Sequence, residues 1–478
     1  MSDLLAVPQE AEPADAGSAR ATSSSPPSAH GQAELNATEG RNATEGRNAT
    51  EGVPYSAAPH GERPLDRLSA RLKRHKVTRI GIEFLDRCAD IHLKDLVIDD
   101  MDDHRGASIL GRRVVNFGSD SFLGLDRDER VQKAIVEALP RWGTHNGASR
   151  AFSSVALSEE VERRLAQWLG VEDTLIFPSV TLANAGLIPA LAAKGDLLVV
   201  DRQSHDSIHQ GTRIAQANGA RVVELHPCRG EVLDALLAAE GGQGSLVAVD
   251  GVYSMTGKVP PLAELEEATR RHGGTLYVDD AHGTGVVGPR GRGAASVALP
   301  SLRSILQVGS LSKGFSCLGA YVTCHPELKR ILKIRSSTFI FGGPVPPPYL
   351  AAILAVLDIL DSDEGDELLA ELRALVERLT GGLRALDLIV GGGVAPIVSV
   401  QIGDIEDTFA AGKWLFDRGY YVQSATYPAV GISEGLIRIQ VNANHPPAAI
   451  DGLVAAFAEL KQAFKLPAAS AQRPRAIP

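Results

Sequence analysis

With 478 residues and 44% hydrophobic content, the chain can bury the core of a two- or three-domain globular protein. Its 58 acidic side chains outnumber 48 Lys and Arg, and the net charge of -10 argues against a general nucleic-acid binder and gives no basic patch for anionic lipid. Cys88, Cys228, Cys317 and Cys324 lack CxxC spacing, so no disulfide framework and no metal site is expected; without a signal-peptide core or an apolar run of roughly 20 residues, the expected setting is a reducing cytoplasm with no transmembrane segment.

Residues 1–60 are rich in Ala, Ser, Pro, Glu and Gly and read as a disordered tract. Within it, Asn36–Arg41 recurs as Asn42–Arg47 and again from Asn48 to Gly52, each copy holding an N-x-T sequon expected to stay unmodified. Residues 61–114 read as a helical arm, from the spacing of Leu65, Leu68 and Leu72 and then Ile80, Ile82, Phe84 and Leu85. From 115 to 345, short apolar runs alternate with helical patterns. Strands are predicted at Thr174–Phe177, Leu197–Val200, Arg221–Leu225, Leu246–Val249, Thr275–Val278 and Ser304–Val308. That alternation predicts an α/β fold with a largely parallel sheet and helices on both faces. Residues 346–465 mix helices (Tyr349–Leu360, Glu367–Leu386) with strands (Pro396–Ile402, Leu436–Val441) and read as a smaller α+β domain, followed by a loose tail over 466–478.

The chemistry gathers where predicted strands end. Lys313 lies in Gly309-Ser310-Leu311-Ser312-Lys313-Gly314-Phe315, directly after the strand at 304–308. A second strand runs into Asp279-Asp280-Ala281-His282-Gly283-Thr284-Gly285. Open α/β sheets bind ligands at the carboxyl ends of their strands. A lysine, an aspartate and a histidine there suggest a site for pyridoxal 5′-phosphate (PLP), with the lysine forming a Schiff base and the aspartate facing the pyridinium nitrogen.

These segments, with Gly291-Arg292-Gly293, Asp201-Arg202-Gln203-Ser204-His205 and Asp250-Gly251-Val252-Tyr253-Ser254-Met255-Thr256-Gly257, resemble the α-oxoamine synthases. This family of fold-type I PLP enzymes includes serine palmitoyltransferase, 8-amino-7-oxononanoate synthase and 2-amino-3-ketobutyrate CoA ligase. The resemblance runs from about Val115 to about Phe464. It implies that Lys313 carries the cofactor and moves the α-proton of the amino acid, as a neutral buried amine can. It implies that Asp279 keeps the ring nitrogen protonated, His282 bonds the ring hydroxyl oxygen and His205 stacks on the ring. Ser254 is placed near that hydroxyl; Ser310, Ser312 and the turn at Val180 and Thr181 are placed around the phosphate, although serines before helices are most often simple caps. Arg438, a cation inside an apolar strand, must be paired; the family pairs it with the substrate carboxylate, and a structural ion pair is the alternative.

Three positions depart from the family pattern. Val180-Thr181 replaces a Gly-aromatic pair at the phosphate. Asp120, in Ser119-Asp120-Ser121-Phe122-Leu123-Gly124, replaces an asparagine near the substrate carboxylate. Gly342-Gly343 replaces a Ser-Thr pair that reaches the partner subunit's phosphate. The implied activity is decarboxylative condensation of an α-amino acid with an acyl thioester, on CoA or an acyl carrier protein, to an α-amino ketone, serine palmitoyltransferase-like because residues 204–211 resemble that enzyme and the ketobutyrate ligase slightly more than the oxononanoate synthase. The implied assembly is a homodimer whose N-terminal arm packs on its partner. An aminotransferase or lyase without acyl transfer is the alternative. A non-catalytic subunit is disfavoured because such subunits lack the lysine present here as Lys313.

Overall fold

The computed structural model describes residues 63–431 and 433–471; the tract over 1–60 with its repeat, and 472–478 of the tail, lie outside the described residues. Two compact units divide after Arg71. The first contributes most of the helix Pro64–Arg74, in which no residue is buried. The second, from Leu72 onward, holds the elements that follow.

Helix Lys76–Arg87 carries Phe84, whose ring centroid lies 5.9 Å from that of Phe409. The helical arm predicted to reach 114 ends here. Residues 98–116 instead form β1 (Ile98–Met101), β2 (Gly106–Ile109) and β3 (Arg112–Asn116), paired antiparallel. The reason is a change of period. Ala107 and Ile109 alternate with outward residues and are fully buried, which is the two-residue repeat of a strand. Asp102 sets the turn, accepting the His104 and Gly106 backbone N–H groups.

Seven strands build the central sheet: β4 (Asp173–Phe177), β5 (Leu197–Asp201), β6 (Arg221–Leu225), β7 (Leu246–Asp250), β8 (Thr275–Asp279), β9 (Leu306–Ser310) and β10 (Ala320–Cys324). Their order is β4-β10-β9-β8-β7-β5-β6. The five strands from β9 to β6 run parallel, and β10 is antiparallel to both β9 and β4. Successive residues feed opposite cores. Leu197, Val199, Val247, Leu276 and Val278 pack on one side, and Leu198, Val200, Ala248, Tyr277 and Val308 on the other. Helices 156–169, 230–240, 262–271 and 347–360 cover the first face, and helices 180–191, 206–217 and 326–335 the second. One buried charge cluster ties β4 to its neighbours. Glu162, fully buried, takes Arg150 at 2.6 Å and Lys329 at 2.9 Å.

The C-terminal part holds β11 (Val390–Gly392), β12 (Ile397–Gly403), β13 (Tyr420–Tyr421), β14 (Gln423–Ala425) and β15 (Gly435–Gln440). The antiparallel sheet β11-β12-β15-β14 packs with helices 363–385, 405–417 and 447–464, while β13 joins β3 in parallel. That pairing ties the end of β3, just past the region read as an arm, to the C-terminal domain. His445 is buried beneath it, stacked on Phe117 at 4.2 Å. The tail is not loose over 466–471: Leu466 is buried, and Ser470 is held by Asp387 through backbone and side chain at 2.9 and 2.6 Å.

Candidate active site

At the carboxyl ends of the parallel strands lies a cavity lined by Ser179, Val180, Thr181, His205, Asp250, Asp279, Ala281, His282, Ser310, Ser312 and Lys313. The strands place these groups by ending together. Asp250 is the last residue of β7, Asp279 of β8 and Ser310 of β9, with Lys313 three residues further on. His205 is the N-cap of helix Asp206–Ala217, its Nδ1 accepting the Ser207 backbone N–H at 3.2 Å.

One wall is the start of helix Val180–Leu191. Ser179 Oγ caps it by accepting from Leu182 N at 3.2 Å, so its side chain does have the plain capping role. The Val180 and Thr181 N–H groups belong to the unpaired first turn, where helix geometry favours an anion. Ser310 and Ser312 face each other with 2.9 Å between hydroxyl oxygens. This donor set fits a phosphate, and the buried carboxylate of Asp279 with the amine of Lys313 fits a pyridine aldehyde. The residues present therefore suit PLP.

The two neighbouring carboxyls differ in character. Burial pushes Asp250 well above the usual carboxylate range, helped by Asp279 beside it. Burial also raises Asp279, but Asn184, Lys313, His205 and the Ala281 N–H all favour its charged form. Asn184 Nδ2 donates to Asp279 Oδ2 at 2.6 Å and Ala281 N to Oδ1 at 3.1 Å. Burial, then the charges of Lys313 and Arg438, hold His282 well below its ordinary value, so it is neutral. Asp280 faces away from Asp279. A Cβ on Gly251, Gly283 or Gly293 would lie within 2.6 Å of its carboxylate oxygens, and burial pushes it up to about 7.

The motifs meet through glycine. A Cβ on Gly314 would sit 2.6 Å from the Thr284 carbonyl oxygen, and one on Gly285 (φ +86°) 3.1 Å from Gly314 Cα. A Cβ on Gly291 would stand 2.6 Å from Gly285. The loop after β8 and the lysine loop thus touch backbone to backbone.

Arg438 on β15 is almost fully buried and does have a partner. Its Nη2 meets Asp120 Oδ1 at 3.0 Å, its Nη1 meets Gln423 Oε1 at 2.7 Å, and its Nε donates to the Ser254 carbonyl oxygen at 2.6 Å. Ser254 therefore enters through its main chain. Arg438, Asp120 and Ser254 form their own group, close enough to the cavity for Arg438 to act on His282. Gly342 and Gly343 close helix Ser337–Phe341 and offer no side chain.

Two site residues are not assigned from sequence. Asp250 is visible there only as a motif letter, although its place at a strand end matches that of Asp279. Asn184 stands alone as a polar residue in the apolar stretch Leu182-Ala183-Asn184-Ala185-Gly186-Leu187, and that isolation is the available signal.

A family model described as aminotransferase class I and II matches residues 112–457. The chain is 37% identical over 352 residues to an 8-amino-7-oxononanoate synthase of Geobacter sulfurreducens, covering 73% of this chain and 89% of the relative. A second 8-amino-7-oxononanoate synthase, from an Azoarcus species, is 34% identical over 358 residues, covering 75% and 90%. Among solved structures, serine palmitoyltransferase from S. paucimobilis with bound PLP and myriocin superposes with a TM-score of 0.77 at 27% identity, covering 82% of this chain and all of that one. An 8-amino-7-oxononanoate synthase from Francisella tularensis shares the fold at a TM-score of 0.63 and 23% identity, covering 74% and 99%.

Proposed function

Because the chain belongs to the class I and II aminotransferase family and, within it, to the α-oxoamine synthases, we propose a role for each residue of its cavity. The enzyme is a PLP-dependent acyltransferase that condenses an α-amino acid with an acyl thioester, losing carbon dioxide, to give an α-amino ketone. When bound, PLP supplies an electrophilic carbon for amines and a protonated ring that accepts the electron pair released at the α-carbon. Lys313 anchors the cofactor and takes the α-proton at Nζ. Asp279, held ionised by Asn184, keeps the ring nitrogen protonated. His282, neutral, hydrogen-bonds the ring oxygen. The first turn at Val180 and Thr181, with Ser310 and Ser312, holds the phosphate. His205 covers the ring and orients the substrate carboxylate with Arg438, whose charge is already partly met by Asp120.

The observation that carries this reading is the convergence of Lys313, Asp279, His205, His282 and a helix N-terminus on one cavity. A homodimer in the cytoplasm belongs to the same proposal, and so does an acyl donor on CoA or a carrier protein. Among the described residues, no helix is long and apolar enough to cross a membrane. The test is a panel of amino acids against acyl-CoA and acyl-carrier-protein donors, following thiol and carbon dioxide release together. Amino-group transfer without thiol release would replace this reading with an aminotransferase.

A further inference from the structure

We infer that Tyr277, Asn184 and Ser207 form a relay of positioning residues that holds His205 in the tautomer protonated on Nε2. Tyr277 lies on β8 two residues before Asp279, so both side chains leave the same face of the sheet. Its phenol is fully buried and donates to Asn184 Oδ1 at 2.6 Å. That assigns the Asn184 amide: the oxygen accepts, and both N–H groups are free to donate. One goes to Asp279 Oδ2 at 2.6 Å and the other to Ser207 Oγ at 2.8 Å. The opposite amide orientation would set its oxygen against the Asp279 carboxylate.

Ser207 Oγ has accepted from Asn184, so its own proton is available to His205 Nδ1, 2.8 Å away. The Ser207 backbone N–H points at the same Nδ1. Two donors converge on that nitrogen, so it carries no proton in the neutral ring, and the proton stands on Nε2. The reverse tautomer would turn Nδ1–H against both donors and leave the buried Ser207 hydroxyl without its acceptor, which is costly. A single side-chain amide thus couples the Asp279 carboxylate to the proton position on His205.

The catalytic consequence rests on the proposed role of His205: an Nε2–H donor is suited to a substrate carboxylate. The tautomer itself does not depend on that role. The experiment is magic-angle-spinning nitrogen-15 NMR of histidine-labelled holoenzyme, with His205→Gln identifying the resonances. The expected spectrum shows an unprotonated Nδ1 and a protonated Nε2. In Ser207→Ala the two forms should mix and the amino-acid KM should rise about tenfold, the effect of roughly one hydrogen bond, with kcat changed less. Tyr277→Phe removes one oxygen from the far end and should shift the same resonances in the same direction, which covers a Ser207 variant that fails to fold. An Nδ1–H signal in the parent enzyme overturns the relay. So do resonances that stay unchanged in both variants. A tautomer that mixes in Ser207→Ala while KM stays constant supports the relay and removes the carboxylate role proposed for His205.

Discussion

Replacing Asp120 with asparagine should tighten amino-acid binding. Asp120 Oδ1 lies 3.0 Å from Arg438 Nη2, and Arg438 is the cation proposed to receive the substrate carboxylate. A carboxylate bound to the remaining Arg438 N–H groups would stand roughly 5 Å from Asp120. At an effective dielectric of about 20, the repulsion is on the order of 3 kcal/mol. The Asp120 side chain keeps 33% of its surface in solvent, and screening reduces the effect to about 1–2 kcal/mol, or about tenfold in affinity. The asparagine side chain would still offer an oxygen to Arg438, so the guanidinium should stay in place. The assay is titration of the visible cofactor band of parent and Asp120→Asn enzymes with glycine, alanine and serine. Asp120→Ala serves as a control that removes both charge and acceptor. Dissociation constants unchanged within about twofold for all three amino acids would refute the reasoning, because an Arg438-bound carboxylate must feel the charge beside it.

Lys313→Ala should abolish the visible band, and borohydride treatment of the parent should fix the cofactor on Lys313; label recovered on another lysine would remove the assignment. His445 provides a pH test. Burial holds it down at about 3 against an ordinary 6.5, so between those values the unfolded chain binds the extra proton and stability falls as pH falls. From pH 6.5 to 5 the loss should be about 1.6 kcal/mol by chemical denaturation, and His445→Gln should flatten this slope; equal slopes would show that His445 does not cause it. Glu162→Ala leaves Arg150 and Lys329 without their shared buried partner and should cost about 3–5 kcal/mol of stability. A cost below about 1 kcal/mol would mean that Glu159 and Asp173, which already meet Arg150 and Lys329 at 3.2 and 2.8 Å, suffice for the two cations.

The cofactor-site residues legible in sequence share one property: each lies in a short segment where a buried strand ends. Asp279, His282 and Lys313 follow apolar runs whose length marks the strand, and the strand end sets their position. The relay is not legible, because Tyr277, Asn184 and Ser207 reach one another only across the sheet–helix packing. The Arg438–Asp120 pair joins positions 318 residues apart, and no local pattern predicts which buried cation meets which acid. The arm misleads for a different reason. Its helical period is real as far as Arg87, but β1 and β2 are strands of four residues each, too short for a change to alternation to stand out. The tail misleads because its attachment depends on Asp387, which is distant in the chain.

The glycine contacts next to Lys313 also bear on how this enzyme can be changed. Gly291 and Gly314 leave no room for a methyl group and Gly285 (φ +86°) sits between them, so the loop after β8 and the lysine loop share one wall. A mutant library that randomises the lysine loop alone would largely collect variants whose backbone no longer seats against its neighbours. Retuning of the pocket is better directed at the side chains of Val180 and Thr181, which line it, and at Asp120 beside Arg438.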